Sequence, residues 1–266
     1  MKPRPKISLL IPFSSKNRVR KKSFNWLLKY WECELPEAEI VVGHSNGKVF
    51  CKGRALNKAA AKARGQVLVI LDADAYLEGR VIKYCADRIL EELENHLWYV
   101  PYRHLYRLTK KVSKEILRSD PCDPLRLPSP PPPRVIDCKH KDHSGYGHRF
   151  GAMITIIPRR ALDVLGGFDE RFKGWGGEDI ALLRALDTLY GRHKTTVGDV
   201  LHLWHPFIGE TYQTRRWKGQ GYGRNNRLAV EYHMATGHPT KMRELVAKGH
   251  RKAKRKIDPR NPLIII

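Results

Sequence analysis

The chain has 266 residues, 41% of them hydrophobic, enough for one large domain or a domain with an appendage. No apolar run approaches a membrane span, the basic N-terminus lacks the core of a signal peptide, and the closing Leu263–Ile266 is too short to anchor anything. Fifty Lys and Arg against 27 acids give a formal charge of +23, which points to polyanionic company: nucleotide phosphates, nucleic acid, an acidic acceptor or an anionic membrane surface.

Lys6-Ile7-Ser8-Leu9-Leu10-Ile11-Pro12 predicts a buried parallel strand closed by a proline. A helix follows, with Phe24, Leu27, Leu28 and Trp31 on one face and Pro36 after its end. Ala38–Val42 predicts a second strand, ending in the turn Gly43-His44-Ser45-Asn46-Gly47. Residues 52–64 predict a helix with Leu56, Ala59, Ala60 and Ala63 aligned and Gly65 as its cap. The apolar run Val67–Leu71 leads straight into Asp72-Ala73-Asp74. Residues 79–95 predict another helix and Leu97–Val100 a fourth strand. Strands alternating with helices predict a parallel α/β sheet with right-handed crossovers, whose ligands sit beyond the carboxyl ends of the strands. Pro12–Phe13, His44–Ser45 and Asp72–Asp74 all lie there.

Residues 101–118 read as a basic helix. The segment 119–147, centred on Ser129 and four prolines, reads as an extended lid or acceptor loop. Order resumes with a strand over 152–157 and a helix over 159–165. Then comes Gly166-Gly167-Phe168-Asp169-Glu170, and after it Trp175-Gly176-Gly177-Glu178-Asp179. The glycines free the backbone around an aromatic side chain, and Leu182, Leu183, Leu186 and Tyr190 place a helix directly behind the acids. Glu178 and Asp179 therefore stand at a helix N-terminus, where a carboxylate is held in place beside Trp175 and can deprotonate a hydroxyl on a stacked sugar. Val197–Trp204 predicts a further strand, ending at His202-Leu203-Trp204-His205. Residues 210–256 are basic and helix-prone.

Asp72 and Asp74, two residues apart past a buried strand, suit a hard divalent cation held against a diphosphate. His202, at another strand end, completes such a site for manganese or zinc. Lys52-Gly53-Arg54 opens a helix and suits phosphate. Cys122, Cys138, His140 and His143 fit no standard zinc spacing. The odd five cysteines, without a CxxC pair, fit reduced thiols and a cytoplasmic protein. Aromatics among the charges near Trp204, Tyr212, Trp217 and Tyr222 leave a nucleic-acid-binding or nucleic-acid-modifying metal protein as the alternative class.

Taken in order, Ile11-Pro12, Val41-Val42, Arg54-Ala55-Leu56-Asn57, Leu71-Asp72-Ala73-Asp74, Gly166–Glu170, Trp175–Asp179 and His202 resemble the GT-A glycosyltransferases of the family 2 type. The second half is similar to β-1,4-galactosyltransferases, chondroitin-polymerase-like enzymes and polypeptide N-acetylgalactosaminyltransferases. The resemblance implies a Rossmann-like, mostly parallel sheet flanked by helices over residues 1–208. That region would comprise a nucleotide-sugar half (1–100), the 119–147 loop and an acceptor half (148–208), with a basic helical or partly disordered extension over 209–266. It implies a hexosyl- or N-acetylhexosaminyltransferase using a nucleotide-diphosphate sugar such as a UDP-sugar, with Mn2+ or Mg2+ at the DXD motif. Pro12 and Phe13 would line the base pocket. Arg54, Asn57 and Ala73 would meet the nucleotide. Asp72 would bind ribose or metal, and Asp74 and His202 the metal. Trp175, Gly176, Gly177 and Glu178 would meet the sugar or acceptor, and Asp179 would be the base of an inverting transfer. His44-Ser45 stands where relatives often carry an acid, and the proline-rich loop has no counterpart. The surplus of basic residues implies an acidic protein assembly or a polyanionic glycan as acceptor.

Overall fold

The computed structural model of the chain describes residues 5–14, 17–140, 153–174, 176–206 and 222–250. Strand β1 (Ile7–Pro12) is buried along its whole length, as an apolar strand covered on both faces must be. Its one polar side chain, Ser8, is satisfied twice: it donates to Glu39 Oε2 at 2.6 Å and accepts the Gly65 amide at 2.8 Å. Helix α1 (Arg18–Glu34) starts where Asn17 Oδ1 accepts the Val19 and Arg20 amides. It packs Trp26, Leu27, Tyr30 and Trp31 inward. Strand β2 (Glu39–Gly43) and helix α2 (Lys52–Ala60) follow, then the fully buried β3 (Val67–Leu71).

After β3 come the short β4 (Ala75–Tyr76), α3 (Gly79–Glu91) and β5 (Tyr99–Val100). The stretch read as one basic helix over 101–118 divides into a strand, β6 (His104–Leu108), and a shorter helix, α4 (Lys110–Ile116). Leu105, Tyr106 and Leu108 are buried, and Thr109 restarts the chain as the helix cap by accepting the Val112 amide. Strand β7 (Ile136–His140) pairs with β6. Strand β8 (Ile154–Pro158), α5 (Arg159–Leu165), α6 (Glu178–Leu189), β9 (Lys194–Thr195) and β10 (Asp199–His202) complete the sheets. Helices α7 (Tyr222–Ala235) and α8 (Pro239–His250) close the described chain.

The main sheet runs β2-β1-β3-β8-β5-β9. Strands β2, β1 and β3 are parallel, and β8 is antiparallel to β3 and β5. The expected fourth strand thus lies beyond β8 rather than beside β3. A second sheet runs β4-β10-β6-β7. It lays the end of β10 beside the chain that leaves β3, so Leu203 donates its amide to the Asp74 carbonyl at 2.8 Å.

Helices α7 and α8 are integral to this body. Leu228, Tyr232, Ala235, Met242, Leu245 and Val246 belong to the same buried core as the sheet. They fall within the extension expected over 209–266; residues 207–221 and 251–266 lie outside the described residues. Cys33 and Cys122 form a disulfide with Cα atoms 5.3 Å apart, while Cys51 and Cys85 are free and buried. This departs from the expectation of reduced thiols, on which the cytoplasmic reading rested, and removes Cys122 from any zinc set. Among the described residues, no helix is long and apolar enough to cross a membrane.

Candidate active site

One strand end and two helix starts converge. Asp72 leaves β3, Lys52 opens α2, and Glu178 and Asp179 open α6. Lys52 Nζ lies 2.7 Å from Asp72 Oδ1 and 2.6 Å from Asp179 Oδ1. One buried ammonium thus ties Asp72 to Asp179, which lies 127 positions beyond Lys52 itself. Burial works against the charge on Lys52, yet Asp179, Asp72 and Glu178 outweigh it and hold the ammonium well above its ordinary proton affinity.

The three carboxylates outnumber that cation. Burial pushes Asp179 up to about 8, with Lys52 opposing and Glu178 and Asp72 adding to the rise. Glu178 is likewise raised by burial, and its Oε2 is enclosed without a hydrogen-bond partner among the described residues. The local backbone makes this possible. Gly177 caps α6 at φ 88°, a left-handed conformation that costs glycine nothing, and an added Cβ would stand 3.1 Å from the Phe172 ring. Gly53 permits the close approach of α2, since a Cβ there would stand 2.6 Å from the Asp169 carbonyl oxygen.

A second cluster adjoins the first. Asp74 is buried, with His202 Nε2 3.4 Å from its Oδ1, His205 Nε2 3.3 Å from its Oδ2, and Arg20 2.8 Å from the same Oδ2. Burial alone would raise Asp74, but His202, Arg20 and His205 hold it well below the usual carboxylate range. Asp74, His202 and His205 offer ligand atoms that all lie within 4.8 Å of one another, a mixed oxygen and nitrogen set fit for a divalent transition metal. Asp72 is outside that group and is engaged by Lys52. His205 had no assigned role in the sequence, though its spacing from His202 was visible.

The other expected site residues divide. Pro12 and Phe13 stand at the end of β1, where the Phe13 ring stacks on Phe24 at 3.9 Å and its carbonyl meets His44 Nδ1 at 2.8 Å. Ala73 lies half-buried between the two aspartates. Arg54 and Asn57 turn to the protein itself. Arg54 Nε donates to Glu170 Oε2 at 2.8 Å, and Asn57 donates to the Phe168 carbonyl at 2.9 Å while accepting the Phe168 amide at 2.8 Å. They pin the Gly167–Glu170 turn. Gly176 has open space where a Cβ would stand, and Trp175 lies outside the described residues.

The chain matches the family model "Glycosyl transferase family 2" over residues 38–152 and "N-terminal domain of galactosyltransferase" over residues 135–205. It is 32% identical over 161 residues to chondroitin sulfate N-acetylgalactosaminyltransferase 2 of Homo sapiens, covering 59% of this chain and 27% of that protein. To chondroitin sulfate synthase 3 of Mus musculus it is 26% identical over 183 residues, covering 68% of this chain and 18% of that one. The chain therefore spans about a quarter or less of the length of these curated relatives. The solved structure of GalNAc-T7 with UDP, GalNAc and Mn2+ superposes with a TM-score of 0.46 at 14% identity, over 94% of this chain and 55% of that one. Two glycosyltransferase family models thus overlap across residues 38–205, and the chain is similar to the glycosyltransferases of the family 2 type, with β1, β2 and β3 parallel beside an antiparallel β8.

Proposed function

We infer that the chain transfers a hexose or N-acetylhexosamine from a nucleotide-diphosphate donor, a UDP-sugar, to an acceptor hydroxyl with inversion. The observation that carries this reading is the Lys52 bridge, which places Asp72 and Asp179 on one ammonium and thus joins the donor end of β3 to the acid pair of α6. Asp179 is the base: burial among like charges raises its affinity for a proton, as a group that must accept one from a sugar hydroxyl near neutral pH requires. Glu178 Oε2, enclosed and unpartnered, is the acceptor for a hydroxyl of the bound sugar. Lys52 holds Asp179 in place and keeps enough of it ionised. Asp74, His202 and His205 are the residues to hold a divalent cation, Mn2+ or Mg2+. Such a cation, when bound, neutralises the leaving diphosphate. Arg20, already on Asp74, is placed beside the same charge. Pro12, Phe13 and Ala73 border the nucleoside, and Gly176 and Gly177 the acceptor side.

The test is a panel of nucleotide sugars with Mn2+, scored for nucleotide release and transfer. Asp179→Asn should keep donor affinity and lose transfer by about 10²-fold or more. Normal turnover by Asp179→Asn alongside a dead Glu178→Gln would exchange the two roles. Absence of release from every donor in the wild-type chain would overturn the reading.

A further inference from the structure

The sheet that carries His202 has a second face. In the β4–β10 pairing Tyr76 stands opposite Leu201, and Ala75 opposite His202. Directly paired residues share a face and neighbours alternate, so Tyr76, Leu201 and Asp199 face away from the metal-ligating side. On that far side lies a cavity of about 910 Å3, within the size range of ligand sites. Tyr76, Leu201 and Asp199 line it, together with side chains of α1 and α3, the turn after β9 and the segment 124–131. None of the residues of the Lys52 cluster or the Asp74 cluster is among its walls.

The outer wall is held in place rather than loosely draped. The Cys33–Cys122 disulfide ties its start to the end of α1, and Trp26 Nε1 donates to the Ser119 carbonyl at 3.1 Å. Ser129 Oγ donates to Asp199 at its far end. The proline-rich stretch expected to be a lid or acceptor loop therefore walls this cavity across 124–131, while 141–147 lie outside the described residues.

Three observations specify the occupant. Tyr76 is only 5% exposed, and its hydroxyl is enclosed with no hydrogen-bond partner among the described residues, an arrangement that costs free energy until a polar group reaches it. Tyr84, on α3, is 57% exposed and presents its ring at the rim. The charges do not cancel in function, even though acids and bases are equally represented on the walls. Arg80 pairs with Glu78, Arg88 with Glu92, Glu34 accepts the Gly79 amide, and Asp199 is taken by Ser129 and His104. Among the described residues, Arg126 and Lys194 form no ion pair with a carboxylate. The cavity thus combines one exposed aromatic ring, a needy hydroxyl and two uncommitted cations. Pro124, Pro128 and Pro131 offer no N–H groups, so this wall cannot template an extended peptide by strand addition.

We propose that this cavity is a second binding site, for an anionic oligosaccharide, separated from the transfer site by the β4–β10 sheet. A sugar C–H face stacks on the exposed Tyr84 ring, a hydroxyl reaches Tyr76, and carboxylates pair with Arg126 and Lys194.

The test uses the full chain, a short oligogalacturonate and its methyl ester, which keeps the rings and removes the charge, with binding followed by calorimetry. The free acid should bind, and the ester at least about tenfold more weakly. Arg126→Ala with Lys194→Ala should weaken the acid by about tenfold or more, while Lys241→Ala with Arg243→Ala, on exposed positions of α8, should change it by less than about twofold. Tyr76→Phe should raise the Tm of the free chain and shrink the stabilisation by ligand. Equal losses in the two cation pairs would mean diffuse attraction by a basic protein and would overturn the proposal. So would equal binding of acid and ester, or a Tyr76→Phe chain with undiminished ligand stabilisation.

Discussion

At the scale of single residues, Lys52 decides how the site titrates. The sequence showed it only as a basic residue at a helix start. In the fold it becomes the counter-charge of two acids, and Lys52→Met would leave Asp72, Glu178 and Asp179 without it. Asp179 has a folded-state pKa raised above its ordinary value, toward about 8, so the ionised base accumulates only as pH climbs through that value. Transfer by the wild-type chain should therefore rise across the neutral range. In Lys52→Met, which removes the group that lowers the Asp179 proton affinity, the rising limb should move to higher pH and the plateau should fall. A pH profile of kcat/KM with the limb unmoved would show that Lys52 does not govern the base. His205 is the second residue whose role appears only in three dimensions. As one of three clustered ligand atoms, its loss in His205→Ala should weaken Mn2+ binding by at least about tenfold, read by titration of the free ion's magnetic resonance signal. His104→Ala, at a histidine that pairs with Asp199 instead, should leave that affinity unchanged.

At the scale of elements, α7 and α8 form a clamp on the glycine-rich loop. Asn225 is 1% exposed, accepts the Lys173 amide at 3.3 Å and donates to the Lys173 carbonyl at 3.0 Å. Asp169 receives Arg171 and the Tyr232 hydroxyl, and Arg171 also donates to the Leu245 carbonyl at 2.9 Å. These bonds fix the loop from behind while Arg54 and Asn57 fix it from α2. Asn225→Ala leaves buried main-chain groups unsatisfied, so it should cost about 1–3 kcal/mol in denaturant unfolding. It should also lower kcat more than donor affinity, because the clamped loop leads into Glu178 and Asp179 rather than to the Asp74 cluster. Equal stability and equal kcat would show that the clamp is incidental. The division of 101–118 into β6 and α4 belongs to this scale too. His104–Leu108 has no strong preference of its own, and pairing with β10 and β7 makes it a strand.

For the whole molecule, the formal +23 is distributed over parts with different duties. Arg20, Lys52, Arg54 and Arg171 are committed to acids inside the fold. Residues 251–266 carry six Lys or Arg after the last described helix. A cut before Lys241 is not a clean test of that surplus, because Met242, Leu245 and Val246 of α8 are core residues. Ending the chain at His250 should leave donor hydrolysis intact and weaken transfer to a polyanionic acceptor, with a deficit that shrinks as salt rises. Ending it at His238 should instead lower the Tm. Unchanged acceptor kinetics at low salt in the chain ending at His250 would leave the terminal charges without a part in recognition.

Much of this protein was determined by short-range pattern alone. Apolar runs closed by Pro12 or Asp72 specify buried strands and their ends, and glycines before Glu178 and Asp179 specify an acid pair at a helix start. Local sterics and burial suffice for those assignments, so the fold and most candidate residues were legible. Tertiary structure decided what distance along the chain conceals. It set Lys52 between two acids far apart in the chain, His205 beside Asp74, Cys33 against Cys122, and Asn57 on the main chain of Phe168. Charge pairing, ligand grouping and disulfide formation act over a few ångströms of space, and no periodicity in sequence encodes which distant side chains will come that close.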